Sequence, residues 1–172
     1  HPQKELSPVS VAFMEAVSDS CDVPILDDFN GANQNCAGIL QMSCADGVRS
    51  GTGDGYVQPS LTRPNFELQI HALVHRVVVD NGRACGVEYL QNGKRLVAHA
   101  RREVILSGGA IGSPHILMLS GIGPADHLRA HGIEVALDLP GVGGNLHDHV
   151  LVPLTYRSRT SLHRGTPAHF FG

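Results

Sequence analysis

The stretch "SGGAIGSPHILMLSGIG", residues 107–123, decides how the rest of the chain is read. It follows Val104-Ile105-Leu106, an apolar run of strand length that predicts a short buried strand over 103–106. A turn almost without side chains comes next, then a very apolar segment with the length of one or two helical turns. Ser113-Pro114 offers a capping hydroxyl and a proline preset for the first helical position, which predicts a helix from Ser113 to about Leu119. Bare backbone before a helix N-terminus lets a ligand approach closely and favours an anion. A stand-alone dinucleotide fingerprint needs G-x-G-x-x-G. Here Ser107 takes the first glycine's place, and Asp138 is poorly spaced as the acidic partner. Pattern alone therefore favours a tight strand–helix connection packed on a sheet.

Downstream, Pro124 predicts a second helix start and Gly132 its C-terminal cap. A strand is predicted over 133–137, then the glycine-rich loop "DLPGVGGNLHDH" (138–149), then extended chain over 150–156. Upstream, Phe66, Leu68, Ile70, Ala72 and Val74 alternate with Glu67, Gln69, His71 and His75. Period two predicts a half-buried strand with the even-numbered residues facing the core. Asn81-Gly82 and Asn92-Gly93 then separate further extended runs. Asn-Gly suits the positive φ at both centres of a tight hairpin turn, so 66–100 reads as a three-stranded antiparallel meander. Near the start, Ser7-Pro8 predicts a helix with Val9, Phe13, Ala16 and Val17 on one face, ending before Pro24. Residues 22–60 are loop-rich, with a turn at 27–31 and four glycines between 47 and 55. The fold class is thus mixed α/β: a βα element beside an antiparallel meander.

The chain has 172 residues, enough for one domain or one and a half. A net charge of −3 gives no reason to expect nucleic-acid or membrane-surface binding, and no apolar run has the length of a membrane span. Cys21, Cys36, Cys44 and Cys85 form no C-x-x-C pair, which fits free thiols in a reduced compartment such as the cytoplasm. His147-Asp148-His149 has no third ligand at a useful spacing, so no metal site is expected. Ser113 precedes proline and Ser120 lacks the G-x-S-x-G frame, which argues against a serine nucleophile. Asp27-Asp28 reads as a solvated turn.

Several segments together resemble one family, the glucose–methanol–choline (GMC) FAD-dependent oxidoreductases, and most of all their choline and alcohol dehydrogenase branch. The carrying stretches are "DDFNG" (27–31), "RPNFEL" (63–68), "ACGVEY" (84–89), "REVILSGGAIGSPHILMLSGIGP" (102–124) and "DLPGVGGNLHDH" (138–149). Residues 109–123 match the family's second signature in order and spacing. The resemblance implies part of a Rossmann-like FAD-binding domain with an antiparallel meander, plus part of a substrate-binding domain. It implies a division into a loop-rich segment with an N-terminal helix (1–60), the middle of the FAD-binding domain (61–149) and the start of the substrate domain (150–172). FAD is the implied cofactor, and a small-molecule alcohol the implied substrate, oxidised by hydride transfer to the flavin. The electron acceptor is not indicated. Implied cofactor contacts are Val74, whose backbone would meet the adenine, the turn residues Ser107, Gly108, Gly109 and Ala110, and Asn145, Asp148 and His149 beside the flavin. Gly112, Gly144 and His147 depart from the family's usual Asn, Glu and Gln. The family's N-terminal glycine fingerprint and its C-terminal catalytic histidine have no counterpart here, so the chain reads as an internal fragment, inactive by itself, with no catalytic residue of its own. Two alternatives follow from the same resemblance: a hydroxynitrile-lyase-like FAD protein, and a non-catalytic relic.

Overall fold

The computed structural model describes residues 6–45 and 47–153. Their contacts divide them into two units, residues 6–67 with Pro153, and Leu68–Val152.

In the first unit, helix α1 spans Pro8–Cys21, with Pro8 in its first turn. The Ser7 hydroxyl accepts from the Val9 amide at 3.3 Å, the cap expected from Ser-Pro. Asp22 closes the helix in the left-handed region, its amide bonding to the Ser18 carbonyl. The expected apolar face is only partly covered. Val9 and Phe13 line a recess of about 390 Å³ against residues 38–40, yet stay 46% and 67% exposed. The turn at 27–31 forms as read: the Asp28 carboxylate accepts from the Asn30 amide at 2.9 Å. A two-residue hairpin follows, β1 (Cys44–Ala45) with β2 (Val48–Arg49), and then a π-helical turn Gly53–Val57 leading into the short α2 (Gln58–Ser60).

The second unit is built on the meander. Strands β3 (Leu73–Asp80), β4 (Arg83–Gln91) and β5 (Lys94–His99) pair antiparallel in that order. The two Asn-Gly turns behave as their chemistry demands, with φ of 49° and 76° at Asn81 and Gly82, and 51° and 75° at Asn92 and Gly93. The predicted first strand is corrected at its start. Residues 66–70 form no ladder, and Phe66, Leu68 and Ile70 are 37%, 48% and 61% exposed rather than core-facing. The alternation is there, but among the described residues no strand lies alongside. Instead the Gln91 amide donates to the Ile70 carbonyl and the Gln69 side chain. A bulge between Val74 and Arg76 inserts His75 into β3, and Val77 is the buried residue of the strand, 5% exposed.

Glu88 on β4 binds Arg76 on β3 at 3.1 Å and Arg95 on β5 at 2.9 Å, one carboxylate tying three strands. The Arg76 hydrogen bond, with help from both positive charges, holds the Glu88 carboxyl below its ordinary range against the opposing effect of desolvation. A depressed folded pKa stabilises the fold above the unfolded carboxyl's value of about 4.3, and that contribution is lost as pH falls through the folded value. Glu88→Gln is therefore expected to lower the stability of the full-length protein slightly at neutral pH, as suits a pair of exposed arginines, and to converge with wild type as pH falls below about 4.3, so that its stability depends less steeply on acid. A pH series of denaturation midpoints checks it, and a difference from wild type that stays constant from neutral pH into acid would refute it.

After the meander, residues 103–106 are extended but pair with nothing among the described residues, which corrects the predicted buried strand. Val104 and Leu106 turn into an apolar groove with Val77, Val79 and Leu117, while Ile105 is 77% exposed. Helix α3 spans Gly109–Leu119, four residues earlier than Ser113-Pro114 suggests. The strand β6 (Ile122–Gly123), helix α4 (Ala125–Ala130) and strand β7 (Leu137–Asp138) complete the unit, β6 and β7 pairing in parallel. Gly132 caps α4 with φ 68°, as read. The strand predicted over 133–137 is displaced, its ladder confined to Leu137 and Asp138. Leu128 is fully buried, with Ala125 beside it at 8% exposed.

Two hydrogen bonds explain residues that looked like candidates for chemistry. Asp138 accepts from the Ala125 amide at 3.0 Å, so its carboxylate caps α4. The Ser120 hydroxyl accepts from the Val77 amide at 2.8 Å and donates to the Ile116 carbonyl at 2.6 Å. β3 is an edge strand of its sheet, and leaving a buried edge amide unpaired costs about 1–3 kcal/mol.

Candidate functional site

α3 begins where the backbone has the least side chain. Gly108 sits at φ −80°, ψ 9°, and Gly109 at φ 77°, a left-handed conformation that favours glycine. The Gly108 amide donates to the Ser113 hydroxyl at 2.9 Å, so Ser113 braces the turn from inside the helix instead of capping it from outside. Pro114 then falls inside α3 and cannot donate to the Ala110 carbonyl. Ser107, Gly108, Gly109 and Ala110 are all exposed. The turn is solvent-exposed, its path set by Gly109 and the bond from Gly108 to Ser113.

The glycine-rich loop comes back against the same helix. Gly143 has φ 76°, a left-handed conformation that favours glycine, and lies against the flexible end of the Met118 side chain. The approach leaves a cleft of about 550 Å³. One wall is the stripe Ile111, His115 and Met118 with Ala110 and Pro114, at i, i+4 and i+7 spacing. The other is residues 143–147. Neither wall contributes a carboxylate.

Of the residues singled out in the sequence, Ala110 and Asn145 line this cleft together. Ser107, Gly108 and Gly109 lead directly into it, and Asp148 and His149 follow its far wall, both exposed. Asn145 adopts φ 55°, and Asp148 accepts from the His149 amide at 2.7 Å, a local loop bond. Val74 is not at the cleft. It lies on β3 opposite Tyr89, one residue before the bulge, and next to His75, whose Nε2 is buried with no hydrogen-bond partner among the described residues. No group of three or more metal-binding side chains occurs among the described residues. The sequence reading missed Ile111, Pro114, His115, Met118, Leu146 and His147. The i, i+4, i+7 stripe could have revealed the helical ones had the helix been started at the glycines.

The family model for GMC oxidoreductase matches residues 2–151. Mitochondrial choline dehydrogenase of Mus musculus is 46% identical over 145 residues, 84% of this chain and 24% of that protein. The oxygen-dependent choline dehydrogenase of Rhizobium meliloti is 43% identical over 144 residues, 84% of this chain and 26% of that protein. The chain thus spans about a quarter of the length of these relatives. Among solved structures, pyridoxine 4-oxidase from Mesorbium loti superimposes with a TM-score of 0.65 at 28% identity, over 81% of this chain and 27% of that one. A formate oxidase of Aspergillus oryzae, solved to study FAD modification, gives 0.58 at 27% identity, over 78% and 24%. The match over residues 2–151 settles the lineage: the chain belongs to the GMC oxidoreductase family.

Proposed function

We propose that this chain is part of an FAD-dependent oxidoreductase that oxidises a small primary alcohol of the choline type. The observation that carries the proposal is the cleft between α3 and residues 143–147, entered by the bare turn at 107–110. Its residues fit the cofactor. The left-handed Gly109 keeps side chains out of the way, the exposed turn opens an eleven-residue helix, and the walls carry no negative charge against a pyrophosphate. FAD, when bound, supplies the hydride acceptor that no side chain can provide. The chain's own part is to hold and orient it: the Val74 backbone at the adenine end, Ser107, Gly108, Gly109 and Ala110 along the approach, and Asn145, Asp148 and His149 toward the flavin. Met118 braces the loop that carries the last three, because Gly143 rests on its methyl. No histidine of this chain is assigned a proton-transfer role.

Identity with the choline dehydrogenases supports the choline-type substrate. The test is the full-length protein, purified and inspected for a visible flavin band. Denaturation should release FAD, and anaerobic choline or another primary alcohol should bleach the band. A colourless protein that takes up no FAD would defeat the proposal. Bound FAD that no alcohol bleaches would replace oxidation by a non-redox role.

A further inference from the structure

We infer that Ser120 is a positioning residue for the adenine end of the cofactor site, an inference that rests on the functional reading above. It does not line the cleft. It is the C-terminal cap of α3, and its hydroxyl joins α3 to β3 through two bonds: it donates to Ile116 and accepts from Val77. The partners lie 43 residues apart in the chain, and the oxygen is partly buried. Val77 is three residues from Val74 along the strand, about 10 Å at the usual rise. Ser120 is also one helix length, about 16 Å, from the turn at Gly109. Val74 and the turn are thus the far ends of two arms that meet at one hydroxyl.

His75 bulges out of β3 between Val74 and Arg76, so the ladder is interrupted once between Val74 and Val77. The next residue, Gly121, is fixed from the other side, its carbonyl accepting from the Ala136 and Leu137 amides at 2.8 and 3.1 Å. Residue 120 therefore has its position fixed independently of β3, and only its hydroxyl reaches across to the Val77 amide. Removing the hydroxyl takes away this polar joint between strand and helix, while the apolar contact of Val77 and Val79 with Leu117 remains.

The test compares Ser120→Ala and Ser120→Thr in the full-length protein, stripped of flavin and titrated with FAD, and with ADP as competitor. Ser120→Ala should weaken FAD and ADP by a similar factor, at most about tenfold, because part of the lost hydrogen bond must be made good by ordering the strand edge on binding. Ser120→Thr, which restores the hydroxyl, should recover most of that affinity. The rate of flavin reduction at saturating FAD and alcohol should stay within about twofold, since the flavin end is not attached to this joint. If Ser120→Ala does not fold, Ser120→Cys replaces it, with affinity expected below Thr because sulfur is a weak acceptor. Unchanged FAD and ADP affinity in Ser120→Ala, or a threonine variant as weak as alanine, would overturn the positioning role. So would loss of reduction rate with affinity intact. Wild-type protein that binds no FAD at all would instead overturn the functional reading itself.

Discussion

Gly121→Ala is expected to cost the full-length protein about 3–5 kcal/mol of stability, enough to leave most of it aggregated on expression. Two separate effects add at this position. The first is dihedral. Gly121 has φ 79°, where a residue with a Cβ is disfavoured by about 1–2 kcal/mol. The second is contact. A Cβ at Gly121 would fall onto the Glu134 carbonyl oxygen and within 3.1 Å of the Ala136 amide. Those are backbone atoms, so the chain must move to make room. The movement strikes the bonds from the Ala136 and Leu137 amides to the Gly121 carbonyl, which bring residues 136–137 alongside β6. Gly82→Ala separates the two effects. Gly82 has φ 76° but nothing within 4 Å of an added Cβ, so it should lose only the dihedral part, about 1–2 kcal/mol. Chemical denaturation of both variants measures the difference. Equal losses would show that the clash at Gly121 relaxes freely.

The contrast between these two glycines also marks what can be read from sequence. Gly82 was legible because Asn-Gly between extended runs specifies its own turn, whatever surrounds it. Ser7-Pro8 and Gly132 were legible for the same reason: a cap is local chemistry. Gly121 was visible as part of a motif, but its demand for close approach comes from Glu134, thirteen residues on. The start of α3 was misread because Ser113-Pro114 is a good helix signal placed inside a helix. Two glycines upstream already provide the turn, and Ser113 folds back onto Gly108. Residues 66–70 and 103–106 carried true strand patterns. Alternation, however, reports which faces a chain could present, not whether a partner strand is there to pair with it. The cleft was half legible. Its glycine loop could be named, but its helical wall depended on a register that only the corrected start of α3 supplies.

Val74→Pro in the full-length protein is expected to abolish FAD retention, while Val74→Ile leaves it near wild type. The proposed contact is through backbone, so the identity of an apolar side chain should matter little. Proline removes the amide donor and fixes φ near −65°, away from the extended values of a strand. β3 is an edge strand, where proline is tolerated best, and Val74 lies at its second position. The sheet itself should therefore survive, because most of the β3–β4 register lies beyond the bulge, from Arg76 to Asp80. That separates loss of the cofactor from loss of the fold. Circular dichroism should show a folded protein, and flavin released by denaturation should be close to zero per chain. The bulge sharpens the argument, since it already breaks the ladder between Val74 and Arg76 and leaves His75 Nε2 buried without a partner among the described residues. A strand end so weakly held by its own sheet depends on what binds it, and bound FAD would order it. A folded Val74→Pro protein that still holds one FAD per chain would remove Val74 from the site and leave the cleft at α3 to account for cofactor binding without it.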